Sequence, residues 1–131
     1  MTATLDHTIV PVKDQDESVE FYTRVLGFQY DGKAGMNDHF AVIRLNDSFT
    51  LDLQRFDEIP DPGIHYAFAL DRAHFNRSFQ AIKDAGIPFG DGPRDKTNMR
   101  GPGISTGAKG ETLSVHFGDP NGHRLEILTY A

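Results

Sequence analysis

The chain has 131 residues, enough for one domain or for two fused small repeats with a real core. It contains no cysteine, which excludes disulfide scaffolds, thiolate zinc sites, iron–sulfur clusters and cysteine nucleophiles. Its net charge of -6, from 13 basic and 19 acidic residues, argues against nucleic acid or an anionic membrane surface as the main partner.

In chain order, a strand-like run Leu5 to Val12 comes first, with His7 near its start. Asp14 and Glu17 have capping-box spacing, and Val19, Tyr22, Val25 and Leu26 make the apolar stripe of a helix that Gly27 ends. Strand-like runs follow at about 27–34, 39–46 and 49–55, the last two separated by the turn Asn46-Asp47-Ser48. A second strand-like run, Ile64 to Leu70, again carries a histidine, His65, near its start. Asp71 can cap a second helix, in which Phe75, Phe79 and Ile82 recur at i, i+4 and i+7 before Gly86 and Pro88. Residues 91–110, rich in Gly, Pro and basic residues, read as a long inserted loop. Strands Glu111–Phe117 and His123–Tyr130 then flank Asp119-Pro120-Asn121-Gly122, a type I turn signature.

The chain therefore repeats itself. The expected pattern is βαβββ, twice, over about 1–57 and 62–131. In each half a phenylalanine, Phe21 or Phe79, lies fourteen positions after the histidine. The ends of the halves align too, Phe49–Leu53 over His123–Ile127, so Asp52 is the counterpart of Glu126. Strand alternation gives the run 64–70 one large apolar face (Ile64, Tyr66, Phe68, Leu70) and one small face (His65, Ala67, Ala69) with room for a ligand. Glu126 is a carboxylate in mid-strand. His7, His65 and Glu126 together make a two-histidine, one-carboxylate set, which suits Fe(II) and also accepts Mn, Ni or Zn.

These motifs resemble the vicinal oxygen chelate superfamily, which includes glyoxalase I, bleomycin- and fosfomycin-resistance proteins and extradiol dioxygenases. The resemblance lies in Leu5-Asp6-His7-Thr8, Glu20-Phe21-Tyr22 with Leu26-Gly27-Phe28, His65-Tyr66-Ala67-Phe68, and Asp119 through Glu126. It implies a single α+β domain, 1–131, in which two βαβββ modules form a cup-shaped, barrel-like mixed sheet around one divalent metal. Its ligands would be His7, His65 and Glu126, and Fe(II) or Mn is favoured over Ni or Zn. It implies an enzyme on a small oxygenated substrate, with an extradiol-type dioxygenase as the leading reading. A glyoxalase-like isomerase or lyase, or a metal-free drug-binding module, are the alternatives. Relatives commonly place a substrate-facing tyrosine ten residues before the glutamate. Here that position is His116, with Ser114 on the same strand face, so both are candidate catalytic groups. Asp52 is either a fourth ligand or a polar residue lining the cup. The resemblance also implies a homodimer with sites at the subunit interface, His7 coming from one subunit and His65 with Glu126 from the other.

The remaining histidines read as structural or surface groups: His39 at a strand start, His74 in a first helical turn, and His123 pointing away from Glu126. Arg94, Lys96, Arg100 and Lys109 on the long loop either clamp an anionic substrate group or are solvated. The opening residues have no basic n-region or apolar h-region and no apolar run is long enough to span a membrane. A cytoplasmic protein is therefore expected.

Overall fold

Alternation along the first strand, β1 (His7–Val12), decides its faces: Val10 and Val12 are wholly buried, while His7 and Ile9 turn the other way and stay exposed. These are seen in a computed structural model that describes residues 2–130. Helix α1 (Gln15–Glu20) starts at Asp14, whose carboxylate accepts a hydrogen bond from the Glu17 backbone N–H at 3.0 Å. Its last turn, Phe21–Val25, widens to π-helical spacing. The widening buries the adjacent Phe21 and Tyr22 together, so the apolar stripe is broader than the i, i+3, i+4 pattern of the sequence.

Strands β2 (Gln29–Ala34), β3 (Phe40–Asn46) and β4 (Phe49–Arg55) complete a four-stranded sheet of order β1-β4-β3-β2. β1 and β4 are parallel and the other pairs antiparallel. One face of this sheet, with Val10, Val12, Ala41, Ile43, Leu51 and Leu53, is fully buried, and α1 lies against β3 and β4. Each aliphatic side chain so withdrawn from water contributes roughly 1.5–3 kcal/mol. The opposite face carries His7, Ile9, Val42, Thr50 and Asp52.

Chain contacts divide the molecule into two compact units, one ending at Asp61 and one beginning at Pro62. The second unit opens with β5 (His65–Ala69) and helix α2 (Arg72–Asp84). Asp71 caps α2 by accepting from the His74 N–H at 2.8 Å. The helix ends in a Schellman arrangement: Gly86 N–H donates to the Lys83 carbonyl and Ile87 N–H to that of Ile82, both at 3.1 Å, with Gly86 at φ +70°. Strands β6 (Phe89–Gly90), β7 (Gly103–Gly107), β8 (Gly110–Gly118) and β9 (Arg124–Tyr130) follow. The sheet order is β5-β9-β8-β6, with β7 also paired to β8. Phe68, Val115, Phe117, Leu125 and Ile127 form its buried face, on the side of the strands opposite His65 and Glu126.

Residues 91–102 form a loop without helix or strand, but the expected loop does not run to 110: Ile104-Ser105-Thr106, with β-branched Ile and Thr, pairs with β8 as part of β7, which adds a strand to the second βαβββ module. The preceding segment is fastened down on β6. Met99 N–H donates to the Phe89 carbonyl at 2.8 Å, and Asn98 donates to the Asp91 carboxylate at 2.8 Å. A methyl group on Gly90 would collide with the Asp95 carbonyl and lie 2.9 Å from Lys96 Cα. No helix among the described residues is long and apolar enough to cross a membrane.

The start of β5 is tied to the turn before β9. Ile64 N–H donates to Nδ1 of the fully buried His123 at 3.0 Å, and Arg124 N–H donates to the Ile64 carbonyl at 2.8 Å. In the turn itself, Gly122 N–H donates to the Asp119 carbonyl at 3.2 Å. Asp119 Oδ1 accepts from the N–H groups of Asn121 (2.8 Å) and His123 (2.9 Å). His123→Ala is expected to lower stability by about 2 kcal/mol or more, because it orphans a backbone N–H and opens a cavity. His123→Asn, which restores an acceptor, is expected to recover part of that loss. Urea unfolding measures both, and a loss under about 0.5 kcal/mol for the alanine variant would show that β5 is held by other contacts.

Candidate functional site

Parallel pairing of β5 with β9 sets Ala67 opposite Glu126 and His65 opposite Arg124. Antiparallel pairing of β8 with β9 sets His116 opposite Glu126. Three titratable side chains therefore share one region of one sheet face. His65 Nε2 lies 3.7 Å, and His116 Nδ1 3.9 Å, from the same oxygen of Glu126, Oε1. His65 is open, with 42% of its side chain exposed, whereas Glu126 keeps 10% and His116 3%. The β5 positions beside them on this face, Ala67 and Ala69, are small and exposed.

His116 is buried with its Nε2 lacking any hydrogen-bond partner among the described residues. Burial pushes its pKa below 6.5; the Glu126 carboxylate opposes this, and His65 and Lys96 add to the lowering. Ser114 lies on the same face but is itself buried, its hydroxyl 2.8 Å from that of Thr112. That hydroxyl pair was not readable in the sequence.

The first unit repeats the register. Ile9 pairs with Asp52 and His7 with Thr50, just as Ala67 pairs with Glu126 and His65 with Arg124. His7 Nδ1–H donates to Asp6 Oδ2 at 2.7 Å. That bond, and then the Asp52 charge, raise the His7 pKa above 6.5. Asp52 accepts from the Thr50 hydroxyl at 2.9 Å. Asp6, adjacent to His7 and already visible in the motif, is the side chain that orients this imidazole and leaves Nε2 free.

Imidazole nitrogen and carboxylate oxygen each bind a first-row metal at about 2 Å, so the 3.7 Å between His65 and Glu126 lies within the span of two bonds to one ion. The donor pair fits a divalent metal. A full set is not gathered: among the described residues no group of three or more His, Asp or Glu side chains is placed to hold an ion. His7 lies in the first unit, His65 and Glu126 in the second.

The chain belongs to the Glyoxalase/Bleomycin resistance protein/Dioxygenase superfamily, whose family model matches residues 4–127. Its relatives include Virulence protein STM3117 of Salmonella typhimurium, 28% identical over 131 residues, which span 96% of this chain and 83% of the relative. Metallothiol transferase FosB of Bacillus licheniformis is 28% identical over 130 residues, 95% of this chain and 74% of the transferase. Among solved structures, Oxidase ChaP-H2 is similar with a TM-score of 0.82 and 30% identity, over all of this chain and 96% of the oxidase.

In metal-free protein, NMR titration is expected to place the His7 midpoint above 6.5 and that of His116 below it. The sign for stability follows. The unfolded chain protonates position 116 before the fold does, so the His116 contribution is undiminished above about pH 6.5 and is lost as pH falls below it, by at most about 1.4 kcal/mol per pH unit, while the raised pKa of His7 acts in the opposite sense. His116→Gln is expected to flatten that part of the curve, and an unchanged slope would assign it to another group.

Proposed function

We propose that the chain is a metal-dependent enzyme that binds a small molecule through two neighbouring oxygens at a divalent centre of His7, His65 and Glu126. The observation that carries this reading is the 3.7 Å pairing of His65 Nε2 with Glu126 Oε1 on an otherwise small-residue sheet face. A two-histidine, one-carboxylate set leaves open positions and favours Fe(II) or Mn, with Ni or Zn acceptable. When bound, such an ion supplies Lewis acidity and, for iron, activation of oxygen. The chain's own residues do the rest. His65 and Glu126 hold and orient, and Ala67 and Ala69 leave space. His116, kept neutral near pH 7 by burial, accepts a proton from a ligand hydroxyl. Ser114 fixes the polar floor through Thr112. The third ligand, His7, is assigned to a second copy of the chain, so the active form is a homodimer.

Similarity to Oxidase ChaP-H2 supports an oxidation, and the subtype we favour is an extradiol-type reaction on a catechol-like substrate. Similarity to Metallothiol transferase FosB supports the dependence on a metal. A glyoxalase-like isomerase or lyase is the second reading. It is favoured by one observation: Asp52 occupies the register position of Glu126, as a fourth ligand would.

Elemental analysis of untagged protein loaded with Fe(II), Mn, Ni or Zn is expected to find about one metal per chain, preferring iron or manganese. His65→Ala and Glu126→Ala are expected to lose it, and Asp52→Ala to retain it. Oxygen uptake with catechol-like substrates should then follow the metal. Full metal and activity in the first two variants would overturn the centre. Metal loss in Asp52→Ala with a nickel or zinc preference would favour the isomerase reading. A monomer in sizing that still binds metal fully would overturn the shared site.

A further inference from the structure

A second site is present in the unit that begins at Pro62. An open cleft of about 350 Å³ lies between the α2–β6 connection, the fastened segment after β6, and the turn joining β8 to β9. That volume is in the range of small-molecule sites. Its apolar wall is Ile87 and Pro88; its polar wall is Lys96, Thr97 and Arg124. We propose that this cleft binds a small organic anion, a carboxylate or phosphate group carried on a compact apolar body.

Two cations line this cleft without a carboxylate partner among the described residues. Lys96 makes no hydrogen bond or ion pair among the described residues, although it is half-buried. The Arg124 side chain donates to the Gly63 carbonyl at 3.2 Å and meets no carboxylate. Asp119 is the one carboxylate among the lining residues. Asp119, in the cleft floor, turns its Oδ1 to the N–H groups of Asn121 and His123. Asp95 accepts from the Thr97 N–H at 3.1 Å. In a chain of net charge -6, Lys96 and Arg124 against the single carboxylate of Asp119 leave this small cleft with a positive balance, a local reversal of sign that suits an anion.

The cations are also held in place. Gly90 lets the backbone of Asp95 and Lys96 rest directly on β6, so Lys96 leaves from a fixed point rather than from a mobile loop. Arg124 leaves from the first residue of β9, whose N–H is bonded to Ile64. Preorganised donors lose less entropy on binding. None of His7, His65 and Glu126 lines the cleft, but Arg124 is the register partner of His65 and Lys96 acts electrostatically on His116, so binding is tested on metal-free protein.

Phenyl phosphate, benzoate and the neutral benzyl alcohol are the probes, titrated by NMR into the full chain with EDTA present. Phenyl phosphate and benzoate are expected to shift the amides of Lys96, Thr97, Gly118 and Gly122. Their affinity should fall with added salt and exceed that of benzyl alcohol by tenfold or more. Lys96→Met and Arg124→Met are each expected to weaken anion binding about tenfold; Arg124→Met also loses the bond to the Gly63 carbonyl, so a small fall in its melting temperature is expected, while Arg124→Lys, which keeps the charge, should retain more of the anion affinity. A preference among the two anions would say whether the group is a phosphate or a carboxylate. Benzyl alcohol binding as tightly as the anions would overturn the proposal. So would shifts confined to other residues, anion affinity unchanged in the double variant, or no anion binding at all.

Discussion

The arrangement of functional groups depends on one constraint, the parallel register in which the first strand of each unit is joined to its last. In the second unit that register is set by a buried imidazole. His123 accepts the Ile64 N–H, the next residue of β9 returns a bond to the Ile64 carbonyl, and His65 then starts β5 beside Arg124. A slip of one residue would reverse every side chain on β5, sending His65 into the apolar layer and Phe68 to the open face. The distance between His65 and Glu126 is thus a consequence of backbone pairing, and the turn at Asp119 is part of the site although it touches no ligand.

The same register makes the two units chemically comparable and electrostatically different. Each offers a histidine and, two residues further along the strand, a partner carboxylate on the neighbouring strand. In the first unit the imidazole is exposed and paired to Asp6, which favours its charged form. In the second, His116 is stripped of water beside Glu126, which favours the neutral form. Positive charge is therefore favoured on one imidazole and disfavoured on another.

Much of this was legible in the sequence. The repeat, the two strand-borne histidines and the Asp52–Glu126 correspondence could be read because side-chain direction in a strand has period two and both caps are explicit. The Asp14 and Asp71 caps and the Gly86 stop form as their residue types require. Three features were not legible. The π-helical turn that buries Phe21 departs from the spacing on which helix patterns rely. β7 lies in a Gly- and Pro-rich stretch whose partner, β8, supplies the pairing that the local sequence does not advertise. The fastening of 91–102 onto β6 depends on Gly90, a residue whose importance is the absence of a side chain.

Gly90 has a further consequence for how such a chain can change. Because the backbone at Asp95 and Lys96 occupies the space that a side chain at position 90 would need, the course of this segment is fixed by a contact between main chains. Apart from Asp91, Asp95 and Asn98, whose side chains bond within the segment, its side chains are then less constrained than its backbone. New chemical preferences can accumulate at Lys96 and Thr97 by substitution alone, while insertions or a larger residue at 90 would be penalised at once. Framework and selectivity are thereby inherited on separate residues, so drift in what the protein recognises need not trade against its ability to fold.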